Sequence, residues 1–252
     1  MAYETEALFR EDSYLSTAEG TVLAITETGG IILDQTNFYA TSGGQPGGDI
    51  GFFERADGSR IEIAATVTGE NKNEIIHVPA EGGQAAPAIG EKLVLHVDWP
   101  RRYKLMRMHT ACHLLSVVCP FPITGAAVGE DESRVDFDLP DPTYTKEFVT
   151  EKLMERVSAN DAVAIRWISD EEFLANPDIV KSKNVRPPRW GSVAYASFLL
   201  VRTEWWIRNL AAAHTFPRRR KWEKSTSARS KRRARKTAVS AFVSAPCRNP
   251  EP

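Results

Sequence analysis

The sequence contains little cysteine and no long hydrophobic segment, and both features limit the kinds of protein it can encode. Only Cys112, Cys119 and Cys247 occur in 252 residues. Three cysteines cannot form the disulfide framework of a small secreted protein, so burial or metal binding are the uses left for them. No apolar run is long enough to span a bilayer, and the first residues lack the basic start and apolar stretch of a secretory signal. We therefore predict a cytoplasmic protein without membrane contact.

The charge is balanced only because two unlike parts of the chain cancel. The whole sequence has 32 Lys and Arg against 33 Asp and Glu. Residues 191–252 hold 14 of the basic residues and 3 of the acidic ones, which leaves 18 basic against 30 acidic residues in 1–190. The net charges are therefore +11 and −12. This contrast indicates that the two parts do not share one composition, and a basic tail without periodicity is typical of disorder.

The periodicity of apolar residues changes near Pro100. Short alternating runs separated by Gly, Asn and Asp turns fill residues 19–97, which predicts a small antiparallel barrel or sandwich. Apolar residues at helical spacing then predict a helix over 101–118, followed by a strand pair, a helix over 145–159 and the strand AVAIRW. We predict an α+β protein of two domains and a tail: a β-barrel domain over 1–98, an α+β domain over 101–190, and a disordered or poorly packed tail over 191–252.

Two histidines lie four residues apart in the segment RMHTACHLL of the first predicted helix. At this spacing the imidazoles of His109 and His113 project from one helix face, within reach of a single metal ion. The pair alone is weak evidence, because such histidines are more often ordinary surface or interface residues and a metal site needs further ligands.

A glycine-rich segment, TNFYATSGGQPGGDIG, covers residues 36–51 between two predicted strands. Its glycines allow a ligand to approach the main chain closely, and Gln45 at the tip supplies both a hydrogen-bond donor and an acceptor. A simple hairpin loop would also explain the glycines. It explains less well the bulky Phe38 and Tyr39 directly before them.

Together these segments resemble one family. The order NFYATSGGQPGGDIG, RMHTACHLL, WISDEE and KSKNVRPP is similar to the AlaX-type alanyl-tRNA editing proteins and to the editing domain of alanyl-tRNA synthetase, over residues 1–188. The resemblance implies a translation-factor-like β-barrel followed by the α+β second additional domain shared with threonyl-tRNA synthetase. It also implies one Zn²⁺ per chain, with His109 and His113 as ligands, and Gln45 and Thr110 as candidate catalytic residues.

In that family a later C-x-x-x-H motif supplies the other two zinc ligands, and this sequence lacks it. Cys247 has no histidine after it, and Leu210 stands four residues before His214. If the reading frame were shifted by one base, the cysteine and the histidine of the motif would stand at the positions that Ala211 and Thr215 now occupy. Neither side chain can replace a thiolate or an imidazole as a zinc ligand. The adjacent His214 offers a nitrogen that could replace the missing histidine ligand, but the shifted sequence around it did not evolve to bind zinc.

A one-base slip of the reading frame from about residue 190 accounts for the missing motif. Each shifted codon takes the last base of one codon and the first two of the next. Codons that encode residues 205–216 can then spell VVDxQPCGGTHV. The same slip can turn residues 193–197 into GRVRL, 224–234 into KVHIGKIEKKG and 237–244 into NRRFRIRF, all typical of the family's C-terminal part. The degeneracy of the code leaves freedom at some of these positions.

The resemblance implies a trans-editing hydrolase that removes serine or glycine from mischarged alanine tRNA and recognises the 3′ acceptor end. Two other functions stay open. One is a catalytically inactive tRNA-binding remnant, because the loss of zinc ligands removes folding energy as well as chemistry. The other is a nucleic-acid-binding protein whose basic tail contacts phosphates. The sequence leaves the oligomeric state open.

Overall fold

The computed structural model describes residues 3–41, 48–71, 73–82, 85–139, 144–159 and 175, and the backbone of 162–168, 189–190, 194–201, 226–230 and 239–243. The chain forms two compact units, Met1–Arg102 and Tyr103–Pro252. Among the described residues, no helix is both long enough and apolar enough to cross a membrane.

Eight strands and one short 3-10 helix, Leu8–Arg10, are described in the first unit. The strands are β1 (Glu6–Ala7), β2 (Thr17–Ile25), β3 (Ile31–Leu33), β4 (Gln35–Thr36), β5 (Gly51–Glu54), β6 (Arg60–Thr68), β7 (Ile75–Pro79) and β8 (Lys92–Val97). Six of them close into a barrel in the order β2-β3-β7-β6-β5-β8, and each neighbouring pair is antiparallel. The short strands β1 and β4 pair in parallel outside it.

The barrel forms because its strands alternate between buried and more exposed side chains. In β8, Leu93, Leu95 and Val97 are buried, and the residues between them are less so. Successive strand side chains point to opposite faces, so this alternation directs one face inward. The buried barrel core consists of Val22, Ile31, Leu33, Phe38, Phe53, Ile61, Ile63, Leu93, Leu95 and Val97. Closure leaves the barrel sheet without a free edge. The predicted antiparallel barrel is confirmed.

The long helix α1 (Trp99–Val118) follows the barrel. The carboxylate of Asp98 accepts a hydrogen bond from the backbone N–H of Arg101 at 3.1 Å and so caps the helix. The sequence predicted a start after Pro100, yet the helix begins at Trp99. Proline is tolerated in the first turn of a helix, because the backbone N–H groups there have no partner within the helix.

The other predicted elements of the second unit are also confirmed. Strands β9 (Ile123–Ala127) and β10 (Arg134–Phe137) pair antiparallel, helix α2 covers Lys146–Ala159, and strand β11 covers Ala162–Ile168. One hydrophobic core joins α1, β10 and α2. It contains Met108, Ala111, Cys112, Leu114, Leu115, Cys119, Val135, Phe137, Leu139, Val149 and Leu153.

Four more strands of described backbone follow: β12 (Arg189–Trp190), β13 (Ala194–Val201), β14 (Thr226–Ser230) and β15 (Val239–Val243). They form two sheets, in the orders β11-β13-β12 and β14-β15-β10-β9. Within 191–252 only the backbone of the last three strands is described, so the predicted disorder or poor packing of this tail stays a prediction. Apolar runs such as AYASFLLV suit strands whatever their origin, because ladder hydrogen bonds come from the backbone. The predicted poor packing concerns side chains outside the described residues, and it stays a prediction, as do the domain limits near 98 and 190.

Candidate functional site

The base of the glycine-rich loop is described on both sides, at residues 36–41 and 48–51. The predicted catalytic residue Gln45 lies outside the described residues. The backbone N–H of Asp49 donates to the carbonyl of Tyr39 at 2.8 Å, and the N–H of Gly48 donates to Thr41 Oγ1 at 2.6 Å. These two hydrogen bonds therefore connect the chain just before residues 42–47 to the chain just after them.

A buried ion pair lies at this base. Asp49 and Arg102 are each 2% exposed. Arg102 Nε lies 2.9 Å from both carboxylate oxygens of Asp49, and Arg102 Nη2 donates to Asp49 Oδ2. The same guanidinium donates to the carbonyl of Ser13 at 3.2 Å and to that of Asn37 at 2.6 Å. It also lies 4.6 Å from the ring centroid of Tyr39. One side chain thus holds three separate segments of the chain.

Position 48 requires glycine, because the backbone of β6 passes very close to it. A Cβ atom at Gly48 would lie 1.9 Å from the carbonyl oxygen of Thr66. The N–H of Thr41 donates to this same oxygen at 2.9 Å. Any side chain at position 48 would therefore push the loop base away from β6.

The predicted histidine pair comes together on α1. The Nε2 atoms of His109 and His113 are 3.0 Å apart, and the ring centroids are 4.6 Å apart. His109 is buried, and this burial lowers its pKa to about 4. His109 is thus uncharged near pH 7, which is the form in which imidazole binds metals.

Zinc is the metal that the resemblance implies, and the histidine pair has a geometry that could hold part of a site for it. Two nitrogens bound to one tetrahedral zinc ion lie roughly 3.3 Å apart, close to the separation of the two Nε2 atoms. Catalytic zinc sites use about three protein ligands. Within the described ranges, no cluster of three or more His, Cys, Asp or Glu side chains is suited to a metal. The two histidines by themselves therefore do not complete a zinc site.

The other predicted pocket residue, Thr110, lies beside His109 on α1. Its hydroxyl donates to the carbonyl of Met106 at 3.1 Å. This bond uses the hydroxyl hydrogen and leaves an oxygen lone pair that can accept a hydrogen bond. Ala211, His214, Thr215 and Cys247 lie outside the described residues.

Sequence reasoning missed Asp49 and Arg102. The two residues are 53 positions apart, and no local pattern connects them. The sequence offers only position as a signal, since Asp49 directly follows two glycines and Arg102 is the second residue after Pro100.

Comparison with known proteins identifies the family. The chain is 33% identical over 189 residues to the alanyl-tRNA editing protein AlaX-M of Saccharolobus solfataricus, a match that covers 73% of this chain and 78% of that protein. The chain belongs to the AlaX family. A second AlaX-M, from Methanosarcina mazei, is 37% identical over 175 residues, which cover 67% of this chain and 69% of the relative.

The AlaX family assignment is accompanied by similarity to a larger enzyme. The alanine–tRNA ligase of Pyrobaculum aerophilum is 40% identical over 111 residues, which cover 44% of this chain and 12% of the ligase. No protein-family profile matches the chain. The resemblance seen in the sequence motifs is confirmed by the two AlaX-M relatives, which match over 78% and 69% of their length.

Proposed function

We propose that this AlaX protein is an aminoacyl-tRNA deacylase that hydrolyses the ester between alanine tRNA and a wrongly attached serine or glycine. The observation that carries the proposal is the convergence of His109 and His113 on α1 in a chain that belongs to the AlaX family. In the reaction, the oxygen of water bonds to the carbonyl carbon of the ester. The bond from that carbon to the ribose oxygen breaks, and a proton of water ends on the ribose hydroxyl.

The proposed roles of the pocket residues follow from their chemistry. The amide of Gln45 can donate a hydrogen bond to the negative charge that develops on the carbonyl oxygen. The hydroxyl of Thr110 already donates to Met106, so it is suited to accept a hydrogen bond from the substrate. Serine differs from alanine by one hydroxyl, and polar groups that bind this hydroxyl discriminate more strongly than pocket size does.

We also propose that a frame slip near residue 190 has left the zinc site incomplete in this chain. Two imidazoles hold a metal weakly, whereas an added thiolate and third imidazole would fix it and contribute folding energy. Zinc bound there would act as a Lewis acid or would hold the amino group of the substrate. The change of net charge between residues 1–190 and 191–252, and the family-like sequence that a slipped frame can spell, support the proposal.

The experiment compares three chains: the protein as it is, the protein with its reading frame restored near Trp190, and the restored protein with His109→Ala. Zinc content and the rate of hydrolysis of seryl-tRNA(Ala) are measured for each. Both quantities should be low, high and low in that order. Restored chains with Gln45→Ala or Thr110→Val should keep their zinc and lose rate.

Two outcomes would contradict separate parts of the proposal. If the protein as it is binds one zinc per chain and deacylates as fast as the restored protein, the frame slip has no functional effect. If none of the three chains hydrolyses seryl- or glycyl-tRNA(Ala), the deacylase function is wrong. Binding of the tRNA without hydrolysis in all three would then favour the inactive remnant.

A further inference from the structure

Helix α1 carries a row of partly exposed side chains, and the proposed function uses only the second half of it. Within residues 103–116, the side chains that are not buried are those of Tyr103, Lys104, Arg107, Thr110 and His113. Without Lys104, these residues follow one another at spacings of four, three and three, which places them on one side of a helix. We call Tyr103, Arg107, Thr110 and His113 the α1 stripe. Its first half, Tyr103 and Arg107, has no role in the proposed reaction.

The first half of the α1 stripe combines an aromatic ring with a cation. Arg107 Cζ lies 5.9 Å from the ring centroid of Tyr103. Helix α1 itself contains no aspartate or glutamate, so it offers no carboxylate that would repel an anion. Aromatic rings stack on nucleic-acid bases, and a guanidinium binds phosphate through two parallel hydrogen bonds. A ring and a guanidinium side by side are therefore suited to the base and the phosphate of one nucleotide.

The spacing along α1 agrees with the size of a nucleotide. At a rise of about 1.5 Å per residue, Arg107 lies about 4.5 Å and Tyr103 about 10 Å from Thr110 along the helix axis. In the terminal nucleotide of an aminoacylated tRNA, the ribose separates the 3′ ester from the base and from the 5′ phosphate by several ångströms. A nucleotide with its ester at Thr110 and His113 can therefore reach Arg107 and Tyr103 with its other two groups.

We propose that Tyr103 and Arg107 bind the terminal adenosine of the aminoacylated tRNA, with Tyr103 stacking on the adenine and Arg107 binding the 5′ phosphate. The proposal rests on the proposed function, because it takes the second half of the α1 stripe as the place of the ester. Neither residue takes part in breaking the ester bond. Their role is to hold the nucleotide to which the amino acid is attached.

Two stable analogues of the acylated end separate the two contacts. The first is 3′-seryl-amino-3′-deoxyadenosine, in which an amide replaces the ester. The second is the same compound with a 5′ phosphate. A residue that binds the phosphate affects only the affinity for the second analogue, whereas a residue that binds the base affects both. A general defect of the fold would also lower both affinities, so only a difference between the analogues reports a phosphate contact.

Four variants are compared by calorimetric titration, in the protein as it is and in the chain with its reading frame restored. Arg107→Gln removes the guanidinium, and Tyr103→Leu removes the ring. Tyr103→Phe keeps the ring and serves as the control for Tyr103→Leu. Lys104→Gln is the control for Arg107→Gln, because it removes the same charge from the same helix. Lys104 Nζ lies 3.7 Å from Asp131 Oδ1, and the residue is outside the α1 stripe.

The expected losses follow from the strength of each contact. Arg107→Gln should weaken binding of the phosphorylated analogue about tenfold or more and leave the other analogue nearly unchanged, since hydrogen bonds between ions have effects of this size. Tyr103→Leu should weaken both analogues about tenfold, the loss typical of one stacked base. Tyr103→Phe and Lys104→Gln should bind both analogues within about twofold of the parent, because the ring and Arg107 remain.

Each other result decides against the proposal. If Arg107→Gln binds the phosphorylated analogue as well as the parent does, or weakens both analogues equally, Arg107 does not bind the phosphate. If Lys104→Gln loses as much as Arg107→Gln, the effect is one of overall charge and not of contact. If Tyr103→Leu binds as tightly as Tyr103→Phe, the ring does not stack on the base. In these three cases the proposed function stands, whereas failure of both parent chains to bind either analogue would contradict the proposed function and this proposal together.

Discussion

The barrel contains a buried histidine whose protonation should destabilise it in mild acid. His77 has no exposed surface, and its Nδ1 lies 3.0 Å from the carbonyl oxygen of Ile31. Because that oxygen can only accept, Nδ1 carries a hydrogen. Burial lowers the pKa of His77 to about 4 from a usual value of 6.5, so the ring is neutral near pH 7. In the neutral ring Nε2 has no hydrogen, so it accepts from the hydroxyl of Thr36 at 2.9 Å.

The size of the effect follows from these two pKa values. The folded-state pKa lies below the unfolded value, so the unfolded chain takes up a proton first as the pH falls. The contribution of His77 to the free energy of unfolding is complete above about pH 6.5 and is lost toward pH 4. Linkage gives a loss of about 2 kcal/mol between pH 7 and pH 5, and of about 3 kcal/mol between pH 7 and pH 4.

The assay is urea unfolding at several pH values, followed by the methyl NMR signals of Leu93 and Leu95 in the barrel core. The variant His77→Gln keeps polar atoms and does not titrate, so carboxylates affect parent and variant alike. The free energy of unfolding of the parent should fall with acid more steeply, by the amounts above. Parallel curves for parent and variant, or an NMR titration of His77 near its usual pKa, would refute the reasoning.

Two further substitutions test the packing of each unit. Gly48→Ala should lower the free energy of unfolding by about 2 kcal/mol or more, because its Cβ would overlap the carbonyl oxygen of Thr66. Thermal unfolding measures this loss, with Gly58→Ala as the control. Gly58 has a φ of +80° and open space around it, so only about 1 kcal/mol should be lost there. An equal loss at both positions would contradict the close approach. Leu115→Ala should cost about 2–5 kcal/mol in the second unit, because Leu115 is fully buried in its core. A loss under about 1 kcal/mol in urea unfolding would show that this core is not close-packed.

The local elements were predictable because each has its own period and its own end signals. The alternation of Leu93, Leu95 and Val97 predicted a barrel strand, and apolar residues at helical spacing predicted α1 to within two residues at its start. The histidine pair was predictable for the same reason, since residues four apart on a helix must share a face. These features depend on neighbours in the sequence.

The closure of the sheet and the bonds at the loop base could not be predicted in the same way. The pairing of β2 with β8, which closes the barrel, joins residues as far apart as Thr17 and His96. The ion pair of Asp49 and Arg102 joins residues 53 positions apart, and the hydrogen bond of Thr36 to His77 joins residues 41 positions apart. A charged or polar residue gives no local sign that its partner lies in another strand or helix, and burial in a folded barrel is what makes the partner necessary.

The sequence by itself determined the family, the order of strands and helices, and the place of two of the candidate zinc ligands, because motifs and periodicity are local properties of a chain. The tertiary structure alone decided that His109 and His113 bring their Nε2 atoms to 3.0 Å and that Arg102 holds both ends of the glycine-rich loop. Both facts depend on side-chain directions and burial. These are set by the packing of segments that are distant in sequence, and the desolvation that keeps His109 neutral exists only in the folded protein.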